Sequence, residues 1–349
     1  MRPLYAVAAV VVTLWGLHVA AEFFIPVLLA ALLAFLMAPV THLLRRLHAP
    51  EWLAVIAAVL VILIPLGGFI YLVVNEVEAL IHGWPQLRAS FSHTLTALRE
   101  SGLAGALHLR AVLNVPALEA RLHANVGSEF VLALKSLKAI LSTGTTIALT
   151  IFFGITMLAS RRHLERAANA VMTSYSTIEP GETVGTMARL IEAFLVARTA
   201  IAVGLGVVSF VILLVFGIPY SFLLGAFLGA MTWVPIVGFF VGIAPVIVVG
   251  VGAGESVTWL LLCGLALGAV WLAQDHIITP KVVGRRLQLN FLATYLAFFA
   301  GGLLWGPWGM ILSIPLLGVI RVACAASPTL QPWAFAIGDD RPSSPSRSQ

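Results

Sequence analysis

The sequence predicts an all-α polytopic membrane protein, and three observations carry that prediction. Of 349 residues, 60% are hydrophobic and only 10% charged, against about 25% charged in an ordinary soluble domain. The apolar residues come in long blocks rather than amphipathic stripes. Residues 4–21, 53–74, 139–160, 199–217 and 257–274 each reach the roughly 17–25 residues that a helix needs to cross a bilayer. Arginine sits mainly in the short segments beside these blocks, where the positive-inside rule places it. Every backbone amide in lipid must find its partner internally, so the blocks are read as helices.

The elements follow in chain order. Span one is residues 4–21. Val19-Ala20-Ala21 before Glu22 has the small residues of a signal cleavage site, but the apolar stretch outruns a usual signal core and another span follows at once, so the segment is expected to be retained. Span two, 23–43, starts at Pro26 and ends near Pro39. The loop 44–52 carries Arg45 and Arg46. Span three, 53–74, completes an N-terminal membrane region (1–74) and should kink at Pro65 and Gly67-Gly68. Residues 75–138 mix Glu, Arg, His and Gln with Leu and Ala at helical spacing. They predict an extracytoplasmic α-helical insert, broken near Trp84-Pro85, Ser101-Gly102 and Val115-Pro116.

A membrane transport core is expected over 139–325. Its span four, 139–160, stops at Arg161-Arg162. The connector 161–198 reads as two amphipathic helices separated by Glu179-Pro180-Gly181, and Arg161, Arg162, Arg166, Arg189 and Arg198 mark it as cytoplasmic. Spans five (199–217) and six (257–274) follow. The tail 326–349, rich in Ser and Pro, is predicted to be disordered.

Segments 220–253 and 289–320 remain. As two full crossings, each leg would have about 16 residues, or roughly 24 Å, against a hydrocarbon core of about 30 Å. A re-entrant hairpin fits better, which gives about six full transmembrane helices plus two re-entrant hairpins. With both termini inside, that arrangement puts 75–138 outside and Arg45, Arg46, Arg161, Arg162, Lys281, Arg285, Arg286 and Arg321 inside. Eight to ten full spans remain the alternative, since ten satisfy the same charges. The two segments also resemble each other. One has Trp233, Pro235 and Gly238 followed by Pro245; the other has Trp305, Gly306, Pro307 and Gly309 followed by Pro315. Each follows a full span, the layout of an inverted-topology repeat whose broken helices frame a central site. The competing explanation is chance, because Trp favours interfaces and Gly and Pro are common in membrane helices.

Three stretches carry a family resemblance. They are Trp233–Pro245, Gln274–Gly284, and Gly301–Gly309 continuing to Ile314-Pro315-Leu316. In order and content they resemble the autoinducer-2 exporter-like family, over about residues 4–325. Two departures stand out: Leu289-Asn290-Phe291 lies where members often have a proline, and many members have a glutamate near Asp275. The resemblance implies export of a small hydrophilic signal across the bacterial inner membrane, or cation–proton antiport as in some members, by a homo-oligomer.

Several function classes lack their residues. The net charge of +5 comes from topology rather than from a basic stripe interleaved with aromatics, so nucleic acid is not an expected partner. Cys263 and Cys324 lie in or beside apolar segments, with no disulfide framework and no metal-ligand spacing, so no metal or cofactor is predicted. No His-Glu-x-x-His motif, serine nucleophile with a base, or pair of span-embedded acids points to an enzyme, so no catalytic residue is named. No Gly-Lys-Ser/Thr loop points to ATP drive.

The candidate pathway residues are few. Asp275 follows span six between Gln274 and His276; an acid in the membrane points to an ion pathway, and the histidine to proton coupling. At the interface the same pair would merely end the span. Arg198 and Glu192 precede span five, as substrate contacts or, for Arg198, a topology anchor. Asn290 and Thr294 share a helix face and offer hydrogen bonds to a polar solute, or serve as helix caps. The expected function is a secondary transporter exporting small polar solutes such as autoinducer-2. Its partners are the bilayer, the solute, and H+ or Na+. A cation/proton antiporter, a passive channel and a membrane scaffold docking through 75–138 are the alternatives.

Overall fold

Helix accounts for nearly all of the described chain. The structure, a computed structural model, describes residues 2–100, 132, 135, 144–175, 180–234, 238–282, 289–325, 327 and 329–338. In order these form α1 (Arg2–Val19), α2 (Ala21–Arg46), α3 (Glu51–Glu100), α4 (Gly144–Ala159), α5 (Arg161–Tyr175), α6 (Pro180–Val215), α7 (Ser221–Met231), α8 (Gly238–Gly252) and α9 (Val257–Ala273). A π turn (Gln274–Ile278), α10 (Thr279–Val282), α11 (Phe291–Ala325) and α12 (Gln331–Ile337) complete the order. Ala21–Arg46, Glu51–Leu87, Met187–Val215, Val257–Ile278 and Phe291–Ala325 are long and apolar enough to cross a membrane. Large apolar side chains such as Phe23, Ile64, Val203, Leu214, Leu265 and Leu303 lie exposed on them. That surface suits lipid and not water. The protein is a multi-pass α-helical membrane protein.

Two elements differ from expectation. The chain does not break at Trp84-Pro85; α3 runs through it, as it does through Pro65 and Gly67-Gly68. A proline inside a helix costs one backbone hydrogen bond, and an apolar medium offers the chain no better partner than the rest of the helix. The second connector helix and span five are likewise one helix, α6, since no proline follows Pro180 until Pro219. The expected breaks at Ser101-Gly102 and Val115-Pro116, the hairpin Pro235 and most of the tail lie outside the described residues.

The chain forms two compact units. Unit one comprises Met1–Ile62, Gly144–Arg198 and Val283–Gln349. Here α2 packs on α4 at a small-residue contact: a Cβ on Gly154 would stand 3.5 Å from the Ala30 carbonyl oxygen, the close approach that membrane helices use. Helix α11 is in fact two legs. Trp305 (φ −134°, ψ 19°) and Gly306 (φ 60°, ψ −143°) leave helical geometry, and Pro307 restarts the second leg with its φ already set. The legs fold back so closely that a Cβ on either Gly301 or Gly309 would run into the other's carbonyl. The tip is tied to the end of α1, where Trp305 Nε1 donates to Leu17 O (2.9 Å) and His18 Nδ1 donates to Leu304 O (2.7 Å).

Unit two comprises Leu63–Thr143 and Thr199–Val282. Its core gathers Val77 and Leu80 of α3, Leu213 of α6, Leu228 of α7, Val249 of α8, and Cys263 and Leu267 of α9. Helices α6 and α7 meet through Gly225 and Gly229, where added Cβ atoms would strike the backbone of Phe210, Gly206 and Ala202. Helices α7 and α8 make the other hairpin, with Gly238 against the Met231 carbonyl and Gly242 against Leu228. Glu76 accepts a 2.7 Å hydrogen bond from Leu223 N in the first turn of α7. A carboxylate is favoured at that end of a helix.

Candidate functional site

In unit two, the polar residues predicted after span six gather at the π turn. Gln274 is 2% exposed. Its Nε2 donates to Thr279 Oγ1 at 2.6 Å and to Asp275 Oδ1 at 3.2 Å, and its buried Oε1 accepts no hydrogen bond from the described residues. A π turn inserts one residue into the helical repeat and recurs at functional positions. Here it brings Thr279, five residues on, onto Gln274, which lies one helical turn beyond buried Trp271, whose ring packs against Phe239 at the start of α8 (5.4 Å). Asp275 and His276 are exposed, and His276 Nδ1 donates to Leu272 O at 3.1 Å. Thr279, which the sequence did not single out, is the third member of the cluster.

The hairpin residues have the following places. Trp233 is half-buried in the turn after α7, Gly238 is buried at the start of α8, and Pro245 is half-buried inside α8. Trp305 and Gly306 make the break in α11, with Pro307 exposed beside it and Gly309 and Pro315 buried in the second leg.

Asn290 and Thr294 of unit one act on backbone. Asn290 Oδ1 accepts from Ala293 N (2.7 Å), capping α11, while its Nδ2 donates to Ala336 O (2.7 Å) at the end of α12. Thr294 Oγ1 donates to Asn290 O (2.9 Å). Both therefore spend these hydrogen bonds on the backbone. Arg198, on α6, is half-buried.

Glu192, also on α6, sits in a charged cluster. Its side chain is only 14% exposed, with His42 Nδ1 3.6 Å from Oε1 and Arg161 Nη2 3.5 Å from Oε2. Arg161 Nε donates to Glu165 Oε1 at 2.9 Å, and Nη1 donates to His42 Nε2 at 3.0 Å. Glu51 faces both Arg45 and Arg162 at 3.6 Å. Arg45, Glu51, Arg161 and Arg162 line a polar cavity of about 190 Å³ with Thr41, His42 and Glu165. A buried charge needs a partner, and Glu192 draws its two from α2 and α5. Of this cluster the sequence named only Glu192 for the pathway. Arg161 and Glu165 at i, i+4 were the legible hint, whereas His42 lies 119 residues from Arg161 in the chain.

Comparison with known proteins accords with this fold. The AI-2E family transporter profile matches residues 7–328. A Haemophilus influenzae protein named "Putative transport protein" is 24% identical over 346 residues, covering 97% of this chain and 96% of its own. The AI-2 transport protein TqsA of Escherichia coli is 26% identical over 333 residues, with 94% and 93% covered. A similarly named transport protein of Mycobacterium tuberculosis is 30% identical over 332 residues, with 92% and 88% covered. With a match that takes in both hairpins, the π turn and the charged cluster, the chain belongs to the AI-2E family of transporters.

Proposed function

We propose that this protein is a secondary transporter that exports small polar solutes, with a signal of the autoinducer-2 type as the leading candidate. The observation that carries the reading is the pair of helical hairpins broken within apolar segments. Broken apolar hairpins of this kind are building elements of many secondary transporters. The name of the Escherichia coli relative supports the solute class. The family supports the bacterial inner membrane, and the arginine pattern supports cytoplasmic termini. Exposed apolar helix faces leave room for a homo-oligomer. Gln274, Asp275 and Thr279 are the proposed polar lining, and no step in this reading needs a covalent reaction.

Flux in proteoliposomes tests it. Purified protein is reconstituted with autoinducer-2 inside and imposed proton or sodium gradients, with Asp275→Asn alongside. Gradient-driven release that falls at least about ten-fold in Asp275→Asn is expected, the size of losing a charge-assisted hydrogen bond near 1.4 kcal/mol. Release that ignores both gradient and substitution would identify a passive channel. No release of any small polar solute would overturn the reading in favour of a scaffold.

A further inference from the structure

The contact between Arg161 and His42 carries more information than an ordinary ion-pair neighbour. A guanidinium has five N–H donors and no acceptor. The 3.0 Å approach of Arg161 Nη1 to His42 Nε2 therefore requires Nε2 to offer its lone pair. The single proton of the neutral ring must then sit on Nδ1, the nitrogen that faces Glu192 Oε1 at 3.6 Å. The hydrogen-bond network thus fixes the tautomer.

A second proton has only Nε2 to occupy. Once there, it removes the acceptor and sets one cation against another across the same 3.0 Å. The incoming proton and Arg161 compete for one lone pair. Each outcome is compensated. With the ring neutral, Arg161 holds His42, Glu165 and Glu192 together. With the ring charged, the imidazolium keeps Glu192, and Arg161 retains Glu165 at 2.9 Å. Water reaches the ring, because the His42 side chain is 47% exposed and borders the 190 Å³ cavity. A single water needs only about 10–15 Å³ of such cavity space.

The surrounding charges sharpen the competition. Facing the cavity are Arg45 of α2, Glu51 of α3, and Arg161, Arg162 and Glu165 of α5, with Glu192 of α6 behind Arg161. Arg189 is exposed one turn before Glu192, and Arg46, His163 and Arg166 are exposed on α2 and α5. Within the cluster three arginines balance three glutamates while His42 is neutral. A proton on His42 adds the uncompensated charge, and the cation nearest to it is Arg161.

We propose that His42 Nε2 is a proton-binding site at which the proton displaces Arg161, so that proton uptake releases the start of α5 from α2. It deepens the transport reading by naming a place for a coupling proton, yet its test is read from the ring itself and stands whatever the flux assay returns.

The experiment is solid-state NMR of the full-length protein in lipid bilayers with ¹⁵N-labelled histidine, the His42 signals being identified by their loss in His42→Gln. At alkaline pH the wild-type ring is expected to carry its proton on Nδ1 and leave Nε2 bare, and acidification should protonate Nε2. Arg161→Gln removes the competitor and should raise the proton affinity of the ring about ten-fold, while Glu192→Gln should lower it about ten-fold, each equal to one unit of pH. A wild-type ring with its proton on Nε2 at alkaline pH would overturn the proposal, and this readout needs no folded variant other than the assignment control. An affinity unchanged in both variants would overturn it too.

Discussion

Asn290 illustrates how a single polar residue separates two kinds of role. Its carboxamide oxygen caps α11 and its amide nitrogen donates to the Ala336 carbonyl near the end of α12, so its hydrogen bonds among the described residues are structural. Asn290→Ala should therefore lower stability by about 1–2 kcal/mol, the ordinary cost of losing an N-cap, while leaving the apparent affinity for transported solute unchanged. Thermal unfolding in detergent and the concentration dependence of flux report the two halves separately. A weakened affinity with unchanged stability would make Asn290 a solute contact after all. At this scale the sequence revealed residue types but not partners. The shared face of Asn290 and Thr294 was legible from a spacing of four, yet the carbonyl of Ala336 lies 46 residues on. Gln274 and Asp275 were legible because polar groups are conspicuous at the end of an apolar run, whereas Thr279 joined them only through the π turn.

At the scale of elements, glycine separates into two classes that composition does not distinguish. Gly309 stands where the legs of α11 touch, and a Cβ there would enter the Gly301 carbonyl. Backbone cannot swing aside as a side chain does, so Gly309→Ala should destabilise by about 1–3 kcal/mol, the usual range for overpacking, and open the hairpin. Gly67, inside α3, has nothing within 4 Å of an added Cβ. Gly67→Ala should be neutral or stabilise by about 0.5–1 kcal/mol, because glycine is the poorer helix former. Thermal unfolding of the two variants in the same lipid decides the matter, and equal effects would refute the hairpin contact. The sequence singled out Gly67-Gly68 and missed the packing role of Gly225 and Gly229. Hydropathy records how apolar a segment is, not what it touches. The spacing of Gly225 and Gly229, four apart in an apolar run, was the available signal for a close helix crossing.

At the scale of the whole molecule, the number of crossings is the property the sequence left open, and unit one bears on it. The first leg of α11, Phe291–Leu304, is about 21 Å long at 1.5 Å per residue, and the second, Pro307–Ala325, about 28 Å. Length alone would keep the first leg short of a core of about 30 Å. The tip, however, is bonded to Leu17 and His18 in the last turn of α1. If α1 is a full span, its last turn lies at the outer edge, and the hairpin tip lies there with it. This contact favours a full crossing in that half, with the short leg accommodated by a locally thinner bilayer. The same pairing yields the prediction. In a background with Cys263 and Cys324 replaced by serine, Val19→Cys and Pro307→Cys should both react with a membrane-impermeant maleimide added to intact spheroplasts. Arg46→Cys and Arg162→Cys should react only after the membrane is opened. Both sites at the α1 end are exposed, so the reagent meets no protein barrier there. Labelling of Val19→Cys without Pro307→Cys would instead leave the tip inside the bilayer, as a re-entrant hairpin entering from the cytoplasm requires, and would break the level match that the Trp305–Leu17 bond imposes.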